Sequence, residues 1–454
     1  MSAASHSRGT APGGPPSADP SSSVPRPSGL VLSPFRALRF DPATAGDLAA
    51  LTSPPYDVLS DDEVLALEAR SEHNVVRLIL PRDDAAGAQD RYARAAATLQ
   101  SWRAAGVLRP DDIPALYVYE QAAADGHVQR GLLGALGLTP AEDEIVLPHE
   151  NTMAGPVSDR LALYTAVEAD LEPIFLVYDG GGAASAAVAS VSDDSPDGPR
   201  LLVDAELGDG LRHRLWAITD PQVLAAVAAD LHPRKALIAD GHHRYATYLQ
   251  RQQQRWAAGD GSGPWDAGLC LLVDATAFGP QVHPIHRVVP GQPVARLAEQ
   301  AARGAAVRRL DLSLDGALAE LGAAGTRGPA FLLSDGAATE LHLVSEPDPA
   351  QLAAAVPPGR SPAWAALDVS VLHAFLVAEL WGLPDDVEHV GYEHDVAGAL
   401  AAAGRTDGTA VLLNPTPVEA VAGVAGSGER MPRKSTLFTP KPRTGVVIRD
   451  HHDG

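Results

Sequence analysis

The chain has 454 residues, a hydrophobic content of 45% and a formal net charge of −22, which predicts a globular protein of about two or three domains. So acidic a chain argues against a nucleic-acid partner, because proteins that bind DNA normally present a basic surface to the phosphates. Its one cysteine, Cys270, excludes an internal disulfide, and since neither a secretory signal nor a long apolar run is seen, we expect a cytoplasmic protein without membrane contact.

The first third of the sequence is predicted to contain a tail and one domain. Residues 1–30 are rich in Ser, Pro, Gly and Ala and poor in large apolar side chains, so we expect a disordered tail there. Residues 31–145 are predicted to form an N-terminal α/β domain. In this domain a helix is predicted to begin at Ser60 or Asp61, and the apolar run NVVRLIL at residues 74–80 is predicted to be a strand.

The remaining sequence is predicted to form a central core and a C-terminal domain. Residues 146–290 alternate strands and helices, and we expect one helix to start at an N-cap formed by Ser158. In the stretch LIADGHHRYATYLQ, residues 237–250, a short apolar run precedes apolar residues at helical spacing, which predicts a strand, a turn and a helix. Residues 291–454 are predicted to form a further α/β domain, with a helix near residues 367–380.

Polar side chains crowd the start of the helix predicted after Asp240. The first amides of a helix are unpaired and attract anions, Gly241 would allow close approach, and Arg244 could bind a phosphate bidentately. His242 and His243 could donate further hydrogen bonds, whereas Asp240 better suits a divalent cation that accompanies a nucleotide, or the orientation of a histidine. The alternative is a capped helix with solvated side chains. A zinc site is disfavoured, because adjacent helical residues point about 100° apart.

Two further stretches could supply substrate contacts. In LPHENT, His149 and Glu150 follow an apolar strand, and a carboxylate at a strand end is well placed to act as a general base on a hydroxyl; an ordinary surface carboxylate is the alternative. In SPPYDV, two prolines stiffen the approach to Tyr56 and Asp57, although turn chemistry explains this pattern almost as well.

A basic run stands out near the end of this acidic chain. In MPRKSTLFTPKPR the side chains of Lys434, Ser435, Thr436 and Lys441 suggest a phosphate contact, with a solvated loop as the alternative. If this run contributes to the site, it must fold back to the helix start at Asp240. The histidines of VHPIHRVV are interpreted as a structural pair in preference to metal ligands.

Six motifs in this order resemble those of the bacterial and archaeal domain-of-unknown-function 1015 family: SPPYDV, LPHENT, DRLALYTAVEADLEPIFLVYD, ADGHHRYATYL, HPIHRVV and MPRKSTLFTPK. The resemblance runs from about Phe35 to Arg443. It implies a fold more than a reaction, since the activity of that family is not settled.

Residues 145–255 also resemble the ParB/sulfiredoxin superfamily, whose members bind nucleotides. Within it the free-serine kinases carry a similar HE pair and DGHHR motif, which implies a general base at Glu150 and phosphate contacts at the helix start. Sulfiredoxin activity requires a cysteine where His242 stands, and the helix-turn-helix of ParB-type proteins is not seen.

These observations predict an α/β (α+β) fold in which a ParB/sulfiredoxin-like nucleotide-binding core is flanked by N-terminal and C-terminal α/β domains. The expected function is phosphoryl transfer from ATP or ADP, with Mg²⁺, to a small serine-like hydroxyl metabolite; a non-catalytic nucleotide-binding or phospho-metabolite-binding regulator and a phosphatase or nucleotide hydrolase are the alternatives. No metal ligands are assigned, and the oligomeric state is left open. The residues expected to be catalytic are Glu150, Asp240 and His243. Those expected to hold the nucleotide are Gly241, His242, Arg244, Lys434, Ser435 and Thr436. Those expected to bind substrate are His149, Asn151, Thr152, Tyr56 and Asp57.

Overall fold

A computed structural model describes residues 26–83, 90–191 and 198–453. Most of the predicted tail, residues 1–25, lies outside the described residues. At the end of the predicted tail, Leu30 is buried and its amide donates a hydrogen bond to the carbonyl of His232 (3.1 Å).

Strands and helices alternate along the chain, which confirms the mixed α/β class. The strands are β1 Leu32–Ser33, β2 Leu38–Phe40, β3 Leu108–Pro110, β4 Leu116–Ala123, β5 Val128–Gly137, β6 Val146–Leu147, β7 Ala169–Asp170, β8 Ile174–Tyr178, β9 Arg200–Glu206, β10 Leu211–Ile218, β11 Ala236–Asp240, β12 Ala267–Asp274, β13 Gln281–His283, β14 His286–Val289, β15 Ala306–Leu310, β16 Ala330–Ser334, β17 Leu341–Ser345, β18 Gly391–Glu393, β19 Thr409–Leu413, β20 Leu437–Thr439 and β21 Arg449–Asp450.

The longer helices cover the sheets, and short ones fill the connections. The α-helices are α1 Pro42–Ala45, α2 Leu48–Leu51, α3 Asp61–Arg70, α4 Val76–Ile79, α5 Arg91–Ala104, α6 Ala154–Val167, α7 Gly182–Ala189, α8 Pro221–Leu231, α9 His242–Ala257, α10 Val294–Ala301, α11 Leu314–Gly325, α12 Pro349–Ala355, α13 Pro362–Ala365, α14 Asp368–Val371, α15 Val396–Arg405 and α16 Val418–Gly426. A π-helix, Leu372–Leu380, continues α14.

A nine-stranded sheet organises the first two thirds of the chain. Its order is β6-β11-β8-β12-β5-β4-β10-β9, with β1 added beside β5. Strands before residue 145 therefore share one sheet with strands after it: β5 pairs with β12, and β4 pairs with β10. Near one end, β11 lies between β6, which is parallel to it, and β8, which is antiparallel.

Helices α6 and α9 pack together on one face of this sheet, where Tyr164 and Tyr248 stack with their ring centroids 5.4 Å apart. The apolar residues of the other face, such as Phe175, join Phe438 and the helices of the C-terminal region in a second cluster. The C-terminal region has its own six-stranded sheet, in the order β15-β17-β16-β19-β14-β18. Within the described ranges, no helix has both the length and the apolar composition needed to span a bilayer.

Two local predictions were wrong. The run at residues 74–80 contains the helix α4, whose first amide, that of Val76, donates to the side chain of Asn74 (3.0 Å). A short, wholly apolar run does not distinguish a strand from a buried helical turn. Helix α6 begins at Ala154 instead of after Ser158, because Pro156 is tolerated in the first turn of a helix.

Candidate functional site

The strand-turn-helix predicted for residues 237–250 is confirmed: β11 ends at Asp240 and α9 begins at His242. Gly241 joins them in the left-handed region (φ 92°), where a side chain would be strained and would come within 3.0 Å of Arg244. The strand β6 is the parallel neighbour of β11, and parallel neighbours end at the same edge of a sheet. The loop of residues 148–153 that follows β6 therefore meets the start of α9.

The two histidines at the start of α9 hold this loop. The Nε2 atom of His242 accepts hydrogen bonds from the backbone amides of His149 (3.2 Å) and Glu150 (3.3 Å). The Nε2 atom of His243 accepts one from the amide of Met153 (3.1 Å). Burial lowers the pKa of both imidazoles, so both are neutral near pH 7. His242 and His243 thus position the loop, and their Nε2 atoms are already engaged by the protein.

Glu150 is the titratable group that this loop presents. Burial is the main cause that raises the pKa of its carboxyl group to about 7, with the charges of Lys434 and Lys441 opposing and that of Asp240 reinforcing the shift. The side chain nevertheless remains 31% exposed, so a ligand can reach it. Protein atoms surround the carboxylate without closing it off.

Asp240 and Arg244 form part of a buried chain of charges. One carboxylate oxygen of Asp240 lies 2.5 Å from Nη2 of Arg244, and the other lies 2.5 Å from Nζ of Lys441. Burial alone would raise the pKa of Asp240, but Lys441 and Arg244 together lower it. Arg244 also donates to the carbonyl of Pro173 (2.6 Å) and is 1% exposed, so its guanidinium lies beneath the site instead of in the open part.

The basic C-terminal run folds back onto the same loop. The amide of Met431 donates to the carbonyl of His149 (2.8 Å), and the hydroxyl of Thr436 lies 3.1 Å from Nε2 of His149. Lys434 is exposed, and its charge acts on Glu150. Ser435 is buried and its hydroxyl donates to the carbonyl of Pro432, so it serves the run itself.

The N-termini of α6 and α9 meet near Asp240, the residue that pairs with Lys441. His243, in the first turn of α9, binds Met153, the N-cap residue of α6. Among the described residues, no side chain caps the amides of either helix. Uncapped N-termini carry partial positive charge, so the junction favours an anion.

The remaining predicted residues lie around this junction. Asp57 is exposed and its carboxylate lies 3.6 Å from Nζ of Lys441. Tyr56 faces inward, with its ring 4.4 Å from the guanidinium of Arg160, and burial raises its pKa to about 12. Asn151 and Thr152 are exposed on the loop of residues 148–153.

One buried carboxylate was missed by the sequence reasoning. Glu172 is fully buried, accepts hydrogen bonds from the amide of Tyr56 (3.0 Å) and the hydroxyl of Thr444 (3.1 Å), and interacts electrostatically with Arg244. Burial raises its pKa. Lys441 was named in the basic run, but its contact with Asp240 was not foreseen. Neither the contacts of Glu172 nor the pairing of Lys441 with Asp240 has a local sequence signal, because each joins distant parts of the chain.

Among the described residues, neither a cluster of metal ligands nor the 620 Å³ cavity coincides with the junction. Within the described ranges, no group of three or more His, Cys, Asp or Glu residues is arranged to hold a metal ion. A cavity of about 620 Å³ lies elsewhere, beside Tyr117 and Ala217, and includes none of the residues gathered at the junction.

Fold and site together define a mixed α/β protein in which three carboxylates, those of Glu150, Asp240 and Asp57, lie with histidines and Lys441 around a junction of helix N-termini. The chain belongs to the family described as protein of unknown function (DUF1015), which matches residues 32–370. No curated protein shows significant similarity to it.

Three solved structures illustrate how distant its structural relatives are. A free serine kinase mutant in complex with ADP is 12% identical and aligns over 68% of this chain and 90% of that one, with a TM-score of 0.34. A conserved hypothetical protein from Pyrococcus furiosus is 13% identical, over 72% and 98% of the two chains, with a TM-score of 0.33. C-terminally truncated SbnI from Staphylococcus aureus is 10% identical, over 70% and 87%, with a TM-score of 0.34. Likeness at this level carries no functional argument, and the ParB/sulfiredoxin-like core stays a prediction.

Proposed function

We propose that the protein binds a nucleotide, ATP or ADP, and transfers its terminal phosphoryl group to the hydroxyl of a small serine-like metabolite. The observation that carries the proposal is the position of the part-exposed Glu150 carboxylate at the junction of two uncapped helix N-termini, where burial raises its pKa to about 7. A base and an anion site are the two elements that such a transfer needs.

Glu150 suits the role of general base. A carboxylate with an ordinary pKa is a weak base, whereas one with a pKa near 7 is partly ionised at neutral pH and accepts a proton more readily. In the proposed step the hydroxyl oxygen bonds to the terminal phosphorus, the bond from that phosphorus to its bridging oxygen breaks, and the hydroxyl proton passes to Glu150. The nucleotide leaves with one phosphate fewer.

The phosphates are assigned to the first turns of α6 and α9 and to Lys434. Backbone amides at a helix N-terminus bind phosphate oxygens, and an exposed ammonium adds charge that the developing transition state requires. Lys441 contributes from beneath, where it keeps Asp240 ionised. Arg244 supports the helix start through Asp240 and takes no direct part.

Mg²⁺ usually binds through one or two carboxylates together with the phosphates of a nucleotide. Asp57 is assigned to this role, since its side chain is 35% exposed and its carboxylate lies 3.6 Å from Lys441, the residue that also pairs with Asp240. A bound Mg²⁺ would offset negative charge on the phosphates.

His149 is less suitable as a substrate-binding residue, because burial lowers its pKa to about 4 and its Nε2 faces Thr436.

The direct test is phosphorus NMR of the purified protein with Mg²⁺, ATP or ADP and a panel of hydroxyl metabolites headed by serine. We expect a new phosphomonoester signal that depends on the metabolite. Free phosphate alone would identify a hydrolase, and calorimetric binding without turnover would identify a regulator. If neither binding nor turnover is found with either nucleotide, the proposal is wrong.

A further inference from the structure

The C-terminal strap, defined here as residues 431–441, reaches the site because several distant groups hold it. Its strand β20 pairs with β13 in an antiparallel register. The side-chain amides of Gln129 and Gln121 donate to the carbonyls of Pro440 (2.9 Å) and Lys441 (2.9 Å). These contacts secure the half of the strap that carries Lys441.

The half that carries Lys434 is held by Arg287, which comes from the motif VHPIHRVV. Its Nη2 atom donates to the carbonyl of Arg433 (3.2 Å), its Nη1 to the carbonyl of Ile285 (2.5 Å) and its Nε to Nε2 of His373 (3.1 Å). Arg287 is 1% exposed. Its donors are therefore directed to fixed acceptors of the protein.

Burying this charge is costly. Among the described residues, no carboxylate forms an ion pair with Arg287, and burial lowers its pKa to about 10 although Tyr392 and Asp385 oppose this shift. The ring of Tyr392, whose centroid lies 4.8 Å from the guanidinium carbon, offsets part of the cost. An unpaired buried cation is tolerated where hydrogen bonds compensate for its lost hydration, and an apolar side chain would fill the same space at lower cost. The hydrogen bonds of Arg287, in particular the one to the strap, are what an apolar residue could not supply.

The acceptor His373 is itself oriented. Since its Nε2 accepts from Arg287, its proton is on Nδ1, which lies 2.8 Å from the carboxylate of Asp385. The side chain of Arg433 donates in turn to the carbonyl of Asp385 (3.3 Å). Arg287, His373, Asp385 and Arg433 thus form a closed set of hydrogen bonds at the start of the strap.

Lys434 follows directly and has a left-handed backbone (φ 53°), a conformation that a non-glycine residue keeps when its surroundings hold it. We propose that Arg287 is a positioning residue of the candidate site, which fixes the Arg433 carbonyl and so sets the position of Lys434, the next residue of the strap, relative to Glu150. The consequence for ligand binding rests on the proposed function, whereas the mechanical role of Arg287 does not.

The first experiment needs no ligand: hydrogen–deuterium exchange of the full-length protein, followed in peptides that cover the strap. Arg287→Met should accelerate exchange there by about tenfold or more, since a charged hydrogen bond to the strap is lost. The matched control is Val288→Ala, which removes a buried side chain from the adjacent position of the same strand. Acceleration in the Arg287 variant alone supports the proposal, and equal or absent acceleration overturns it. If Arg287→Met does not fold, Arg287→Lys retains the charge but cannot reach all three acceptors.

The second experiment is a double-mutant cycle of Arg287→Met and Lys434→Ala, with ADP affinity measured by calorimetry. If Arg287 acts through Lys434, the double variant should bind about as weakly as either single variant. Additive losses would show that the two residues act independently and would overturn the proposed link. Failure of the wild-type protein to bind ADP would count against the proposed function, and the exchange experiment alone would then decide the role of Arg287.

Discussion

The backbone amide of Glu150 donates a hydrogen bond to Nε2 of His242 (3.3 Å), and Nδ1 of the same imidazole lies 3.9 Å from the Glu150 carboxylate. Because Nε2 accepts this bond, the imidazole proton is on Nδ1 and faces the carboxylate. Burial and the neighbouring His149 hold the pKa of His242 well below its ordinary value, so the ring stays neutral. His242 therefore orients Glu150 without neutralising its charge.

This relationship predicts the effect of replacing His242. His242→Phe fills a similar volume but leaves the backbone amides of His149 and Glu150 without an acceptor. This loss should lower the free energy of unfolding by about 1–3 kcal/mol. His242→Gln retains an acceptor oxygen and should lose less. Urea unfolding of both variants measures the difference; equal losses would show that packing, and not the hydrogen bonds to the loop, is what His242 supplies.

The role of Glu150 as a base predicts a selective loss of rate. Glu150→Gln should lower the turnover of phosphomonoester formation by about 10²- to 10⁴-fold, because the hydroxyl proton loses its acceptor, while nucleotide affinity changes little. The control is Glu142→Gln, an exposed carboxylate away from the junction. A rate that survives in the Glu150 variant would remove this residue from the mechanism.

The raised pKa of Glu150 has a sign that two pH titrations can check. Since the active form is the ionised carboxylate, turnover should rise with pH through about 7. The free energy of unfolding should change in the opposite direction. A carboxyl group whose pKa is raised on folding stabilises the protein at low pH. This contribution is lost as the pH rises from the ordinary pKa of a glutamic acid through about 7, the pKa of Glu150 in the folded protein. Glu150→Gln should remove that decline. The same pH dependence in both proteins would contradict the assignment.

The core of the candidate site could be predicted where the pattern was local. The apolar strand, Gly241 and the helical spacing after it are neighbours in sequence, and their chemistry fixes the strand-turn-helix with its first-turn polar residues. The start of α6 could not be placed in the same way, because Ser158 carries a favoured N-cap side chain, whereas the helix begins after Met153, whose side chain makes no capping hydrogen bond.

Contacts between distant segments left no such pattern. Lys441 contacts Asp240 although the two residues lie 201 positions apart in the sequence. The strap that carries Lys441 is held by Arg287 and by two glutamines of the nine-stranded sheet. The buried state of Arg244 also follows from this assembly, since nothing in the local sequence says whether an arginine at a helix start faces a ligand or Asp240.

Loss of Asp240 should destabilise the fold. Asp240→Asn leaves the buried Arg244 without its carboxylate, and breaking one partner of a buried pair costs about 3–5 kcal/mol. Because folding lowers the pKa of Asp240, the ionised carboxylate stabilises the protein at pH values above the ordinary pKa of an aspartic acid. This stabilisation is lost as the pH falls below that value. Glu144→Gln, which removes an exposed pair with Lys235, is the control and should change stability much less, because solvent screens an exposed ion pair. Thermal unfolding at pH 7 distinguishes the two; a small effect of Asp240→Asn would mean that the pair contributes little.

Lys434 should matter for a bound phosphate and not for the fold. Its side chain is exposed, and surface charges contribute little to stability, so Lys434→Ala should shift the unfolding free energy by less than about 0.5 kcal/mol. When the charge of Lys434 is removed, the pKa of the Glu150 carboxyl group should rise further, since Lys434 opposes the upward shift.

The Lys434→Ala variant should also bind nucleotide up to about fivefold more weakly at low salt. The difference from wild type should shrink as salt is added, because ions screen an exposed charge. Calorimetric titration with ADP at two salt concentrations measures this, with Lys235→Ala as an exposed lysine away from the site. An affinity loss that is the same at both salt concentrations would mean that Lys434 does not act through its charge.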